Sequence, residues 1–157
     1  MANVKAIPDG YSTVTPSLTF KDGAKAIEFY KRALGAKERG GIARGPDGKI
    51  MHAEIQIGTS ILMLNDEFMR SRSAEAMGGS PISFYVYVED VDAAFQKAVS
   101  EGGKTTMPVM DMFWGDRMGN FTDPFGYSWT LATHVKDVTP EEMKKGQEEF
   151  MKQMASK

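Results

Sequence analysis

The sequence predicts an α+β chain made of two βαβββ modules in tandem, with a further helix at the C-terminal end. Three observations carry this prediction. Short segments near residues 14 and 82 alternate strictly between apolar and polar residues, an amphipathic helix opened by aspartate follows each, and turn glycines lead into further alternating segments. Module 1 is expected over about 13–66, a linker over about 67–80, module 2 over about 81–135 and the terminal helix over about 139–155, all within one domain of 157 residues.

Each element has its own signal. In residues 14–20, Val14, Leu18 and Phe20 share one face and Thr15, Ser17 and Thr19 the other, the pattern of a half-buried strand. Asp22 then precedes Ala26, Ile27, Phe29, Tyr30, Ala33 and Leu34 at helical spacing, and Gly35 stands where a left-handed C-cap belongs. Pro46-Asp47-Gly48 marks a turn. Met51, Ala53, Ile55 and Ile57 then alternate with His52, Glu54 and Gln56, and Gly58-Thr59 leads into Ile61–Leu64, which makes a hairpin. In the second copy Ile82, Phe84, Val86 and Val88 alternate with Ser83, Tyr85 and Tyr87. Asp90 opens a helix that Gly102-Gly103 ends, and Asp123-Pro124-Phe125-Gly126 turns into Trp129, Leu131 and Thr133. Thr139-Pro140-Glu141-Glu142 is a capping box with proline at the first helical position.

Composition narrows the function. Hydrophobic residues make up 41% and charged residues 25%, with a net charge of -2, which disfavours disorder and nucleic-acid binding. No stretch approaches the roughly 20 apolar residues of a membrane span, and the start lacks an apolar signal core, so a cytoplasmic protein is expected. The absence of cysteine removes disulfides, thiolate metal sites and cysteine nucleophiles. With His52 and His134 the only histidines, a metal centre would lean on carboxylates.

The repeat can be read by register. Asp22 and Asp90 stand 68 residues apart and the turn glycines Gly48 and Gly126 stand 78 apart, which predicts about ten extra residues in module 2. Those residues fall in the Met/Phe/Trp stretch near 107–116, readable as a functional loop or as a tolerated surface insertion.

The two βαβββ copies, Ala24-Ile27-Glu28-Phe29-Tyr30 with Leu34-Gly35-Ala36, and the Asp123–Gly126 turn resemble the vicinal oxygen chelate superfamily of glyoxalases, extradiol dioxygenases and bleomycin- and fosfomycin-resistance proteins. His52–Gly58, Met63–Glu67 and Trp129–His134 resemble its PhnB-like branch. The resemblance implies an open eight-stranded cup with helices outside. Val14, Leu18, Phe20, Ala53, Ile55, Ile82, Phe84 and Val86 would pack on helices. Thr15, Ser17, His52, Glu54, Gln56, Ser83, Tyr85, Tyr87, Ser128 and Thr130 would face the cup.

The resemblance also implies four symmetric metal positions, histidine or glutamate in metal-dependent members. Here they fall on Thr15, Ser83, His52 and Thr130. Three neutral hydroxyls make a poor site for a divalent ion, so no metal and no cofactor are expected. Candidate ligand-binding residues are Thr15, His52, Glu54, Ser83, Tyr85, Tyr87, Phe113, Trp114, Arg117 and Thr130.

His52 reads either as a base, with Glu54 orienting it, or as a structural hydrogen-bond partner of Glu54, Tyr85 or Thr130. Phe113 and Trp114 could form an apolar lid hinged at Gly115. Arg117 could clamp an anion or pair with Asp116 or Asp111, and His134 reads as a surface residue. The expected function is metal-free binding of a small molecule in the cup, in a homodimer with no nucleic-acid or membrane partner. The alternative is a glyoxalase-like lyase or isomerase using His52 as base or metal ligand, and a third reading is a partner-binding module using the terminal helix.

Overall fold

The computed structural model describes residues 4–155. The chain divides into two compact units. The first runs to Pro81 and includes Pro124–Tyr127; the second comprises Ile82–Asp123 and the chain from Ser128 onward. Among the described residues no helix is long and apolar enough to cross a membrane.

Module 1 contains β1 (Ser17–Phe20), α1 (Gly23–Leu34), β2 (Lys37–Arg44), β3 (Ile50–Ile57), β4 (Ser60–Asp66) and a short α2 (Ala74–Met77). Its sheet has the order β1-β4-β3-β2, with β1 parallel to β4 and the other pairs antiparallel. The Asp22 carboxylate accepts from Lys25 N, and Gly35 closes α1 at φ 65°. The buried stripe of α1, Ala26, Ile27, Phe29, Tyr30 and Ala33, covers a sheet face built on Leu18, Phe20, Ile55 and Leu64. Phe125 completes this core, its ring 5.5 Å from Phe20 and 5.9 Å from Phe29. Each such side chain contributes on the order of 1.5–3 kcal/mol on burial.

Module 2 repeats the plan with β5 (Ser83–Tyr87), α3 (Val91–Ser100), β6 (Lys104–Asp111), β7 (Asp116–Thr122) and β8 (Ser128–His134). Its sheet order is β5-β8-β7-β6, with β5 parallel to β8. Asp90 caps α3 at Ala93 N, and α3 lies on β6, β7 and β8 with Phe95 edge-on to Phe121. The last helix, α4 (Pro140–Ala155), is capped as expected. Thr139 Oγ1 accepts from Glu142 N, and Glu142 accepts from Thr139 N.

Several expectations change. The first strand begins at Ser17, because Pro16 has no N–H to give a ladder and Thr15 turns back to the Ser12 carbonyl; Val14 is left 81% exposed. Ile82 likewise precedes β5 and is 63% exposed. The linker 67–80 holds α2, whose N-cap Ser73 is buried and gives both its N–H and its hydroxyl to Glu67.

The repeat register also changes. Gly126 stands between β7 and β8, so its counterpart is Gly58 between β3 and β4, 68 residues earlier, the same spacing as Asp22 to Asp90. The last strands, β4 (60–66) and β8 (128–134), match at this spacing residue for residue. There is no ten-residue insertion: residues 107–116 are the end of β6, a tight turn and the first residue of β7.

Candidate functional site

Each module carries one histidine on the sheet face away from its main helix, and each histidine meets a carboxylate. In module 1, alternation along β3 puts His52 and Glu54 on the same face, and His52 Nε2 lies 3.1 Å from Glu54 Oε1. The same oxygen accepts from the Tyr11 hydroxyl at 2.5 Å. The Arg39 guanidinium lies 5.2 Å above the Tyr11 ring, on the strand paired with Glu54. Tyr11 first, and then His52, hold the Glu54 carboxyl below its usual range, while the same bond raises the Tyr11 phenol.

In module 2, Ser83, Tyr85 and Tyr87 on β5, Ser128, Thr130, Ala132 and His134 on β8, and Asp116, Met118 and Asn120 on β7 share one face. Asp116 is the hub of this face, its side chain 5% exposed. Its Oδ2 accepts from the Tyr85 hydroxyl at 2.8 Å, the Tyr87 hydroxyl at 3.1 Å and Trp114 Nε1 at 3.3 Å. Its Oδ1 meets His134 Nδ1 at 2.8 Å. Burial disfavours the charge, but the bonds from His134, Tyr85, Tyr87 and Trp114 outweigh it and keep the carboxyl below its ordinary range. The bond to Asp116, then the one to Asp137, raises the His134 imidazole. Burial, with the bond to Asp116 next, pushes the Tyr85 phenol up to about 12.

These clusters redistribute the residues singled out from sequence. Tyr85 and Tyr87 are brought together, with ring centroids 5.2 Å apart and the residues 46% and 63% exposed. Trp114 joins them through Asp116. Thr130 is buried and gives its hydroxyl to Asn120, and Ser83 is exposed on β5 beside Ser128. His52 does form the Glu54 hydrogen bond.

Phe113 packs 5.8 Å from Phe150 of α4, beside Gly146, where an added Cβ would come 2.6 Å from it; it lines a groove of about 330 Å³ there with Met110 and Met112. At Gly115 the carbonyl accepts from Val135 N and Lys136 N, φ is 96°, and a Cβ would collide with the Lys136 carbonyl. Arg117 is engaged by Asp92 through two bonds of 2.7 Å and by Asp111 at 2.9 Å, and does not pair with Asp116.

The structure adds Asp116 and His134 to this face, which the sequence reads as a possible Arg117 partner and a surface residue. Counting by twos from Thr130 puts His134 on its face, and pairing outward from the β7–β8 turn puts Asp116 opposite His134.

Comparison with known proteins agrees with this architecture. Residues 13–131 match the family model described as the Glyoxalase/Bleomycin resistance protein/Dioxygenase superfamily. The chain belongs to that superfamily. An uncharacterised protein of Mycobacterium bovis is 38% identical over 135 residues, covering 83% of this chain and 88% of its own length. The crystal structure of TioX from a Micromonospora species has 26% identity and a TM-score of 0.61, covering 82% of this chain and all of that one. A PhnB protein from Bacillus cereus, titled a putative 3-demethylubiquinone-9 3-methyltransferase, shares the fold at 21% identity and a TM-score of 0.61, covering 78% and 99%.

Superfamily members that use a metal hold it at symmetric positions, and the corrected register bears on that donor set. The module 1 partner of Thr130, 68 residues earlier, is the buried Leu62 rather than His52. Thr15 lies off its strand with its hydroxyl on Ser12, and the Thr130 hydroxyl is committed to Asn120. A methyl-bearing side chain and neutral hydroxyls do not suit a divalent cation. Among the described residues, no three histidine, aspartate or glutamate side chains are grouped so as to hold one.

Proposed function

We propose that this member of the superfamily is a metal-independent small-molecule-binding protein whose ligand lies on the polar sheet face of module 2. The observation that carries the reading is the pair of exposed tyrosine rings, Tyr85 and Tyr87, whose hydroxyls are both fixed by the buried Asp116. Large aromatic faces left to water on a rigid strand are stacking surfaces for a planar or amphipathic ligand. The donor set supports metal independence: leucine at one symmetric position and hydroxyls at the others leave no strong ligand there, and His52 lies outside the set, bonded to Glu54. A homodimer and a cytoplasmic location belong to the same reading; light scattering should give twice the chain mass, and fractionation should recover the protein with the cytosol.

The test is elemental analysis of untagged protein purified without chelator, with thermal-shift screens of divalent ions and of small aromatic compounds. The expected result is no stoichiometric metal, no ion-dependent shift, and a shift with aromatic ligands that Tyr87→Ala abolishes. Stoichiometric metal that His52→Ala removes would overturn the reading in favour of metal-dependent lyase chemistry.

A further inference from the structure

The tyrosine face carries more chemistry than stacking requires. Asp116 divides its oxygens, Oδ2 serving three aromatic donors and Oδ1 serving His134 Nδ1. A carboxylate at Nδ1 fixes an imidazole so that Nδ1 keeps its proton and Nε2 becomes the atom that exchanges one. The His134 ring is 51% exposed, and its Nε2 lies 3.1 Å from the carboxylate of Asp137, a side chain wholly in solvent. A ligand oxygen can replace that solvent-exposed partner with little cost. The Tyr85 and Tyr87 hydroxyls are already spent on Asp116, so these residues offer a ligand their ring faces rather than donors.

We propose that Asp116 and His134 form an acid–base couple on module 2 that exchanges a proton, through His134 Nε2, with the acidic O–H of a planar phenol or enol stacked on Tyr85 and Tyr87. This rests on the reading that the tyrosine face binds small molecules, and adds the chemistry of the bound group. Below its raised folded value the ring is already imidazolium, so a bound phenol loses its proton to solvent and its oxyanion pairs with Nε2–H; above that value the ring enters the step neutral, with Nδ1–H donated to Asp116. The ligand O–H bond breaks, its electron pair stays on oxygen as phenolate or enolate, and the proton forms the Nε2–H bond. Asp116 remains ionised and balances the imidazolium, which in turn faces the new oxyanion. The reverse step returns the proton. A phenol or enol fits because it is flat enough to stack on the tyrosines and acidic enough to exchange with imidazole.

The full chain is titrated with 4-nitrophenol, whose phenolate absorbs at longer wavelength than the phenol, at a pH where the free probe is mostly neutral. 4-Nitroanisole, which lacks the O–H, serves as the comparison. The expected result is a saturable phenolate band with the wild type, lost in His134→Gln together with roughly tenfold or greater weakening of 4-nitrophenol binding. 4-Nitroanisole should bind both proteins equally. His134→Gln changes a half-exposed ring, and circular dichroism checks that the variant is folded. Binding of 4-nitrophenol without the band, or a band that survives in His134→Gln, overturns the couple while leaving small-molecule binding in place. Failure of both probes to bind also overturns it, and the binding reading itself then stands or falls on the broader aromatic screen.

Discussion

Both modules anchor a histidine with a carboxylate that also accepts from tyrosine, yet they do so differently. In module 1 the partners sit two residues apart on β3, and Glu54 takes the outer nitrogen, Nε2, with a carboxylate 14% exposed. In module 2 they sit opposite one another on β7 and β8, and Asp116 takes the inner nitrogen, Nδ1, with a carboxylate 5% exposed. A pair within one strand holds through side-chain rotamers alone. A cross-strand pair inherits its geometry from the ladder and leaves the far nitrogen outward. Similar residue types thus hold the outer nitrogen on a nearly buried carboxylate in one module and leave it facing the fully exposed Asp137 in the other.

The largest test of this difference is removal of each carboxylate. Asp116→Ala strands four donors on a buried acceptor position and should cost about 3 kcal/mol or more in urea unfolding, against about 1 kcal/mol for Glu54→Ala. Equal costs would erase the distinction. Next comes Gly115→Ala, where a left-handed φ and the Lys136 carbonyl both oppose a side chain; about 2 kcal/mol of destabilisation is expected, with displacement of the segment that carries Trp114 and Asp116. Tyr87→Phe removes one of three donors to Asp116 Oδ2 and should lower the urea midpoint by less than Gly115→Ala does.

The smallest effect concerns pH. Because His134 is raised by Asp116 and then Asp137, its contribution is fully present below the ordinary imidazole value of about 6.5 and fades as pH rises through the raised folded value. The stability gap between wild type and His134→Gln should therefore narrow from mildly acidic to alkaline conditions. With two histidines in the chain, imidazole nitrogen NMR resolves the same titration directly, and a gap that widens with pH would contradict the pairing.

Much of this was legible in the sequence, and the exceptions share a cause. Leu18 and Phe20, the stripe of α1, the alternation of β3 and the Thr139–Glu142 box carry their periods openly, because packing against one neighbour dictates them. Strand β2 holds Gly40 and Gly41 at an irregular stretch of its pairing with β3, and its polar residues show no buried period. The pairing of Gly48 with Gly126 fails because two proline-containing turns look alike in sequence, whereas the counterpart of Gly126 is Gly58, in a two-residue turn without proline. Asp116 sits beside Arg117, so adjacency suggested an ion pair; in the fold consecutive strand residues point to opposite faces, and Arg117 reaches Asp92 and Asp111 instead.

The segment Pro124–Tyr127 gives the tandem arrangement a practical consequence. Phe125 fills the aromatic core of module 1 against Phe20, Phe29 and Tyr30, and the Tyr127 hydroxyl both donates to the Thr19 carbonyl and accepts from the Thr19 N–H. A gene cut between codons 81 and 82 would yield a first fragment with a hole where a phenylalanine belongs, and a second fragment ending a hairpin in a loop with no core to enter. Shuffling or expressing the halves separately would have to carry those four residues along. The two copies remain recognisable in their 68-residue spacing, but they no longer divide at the seam.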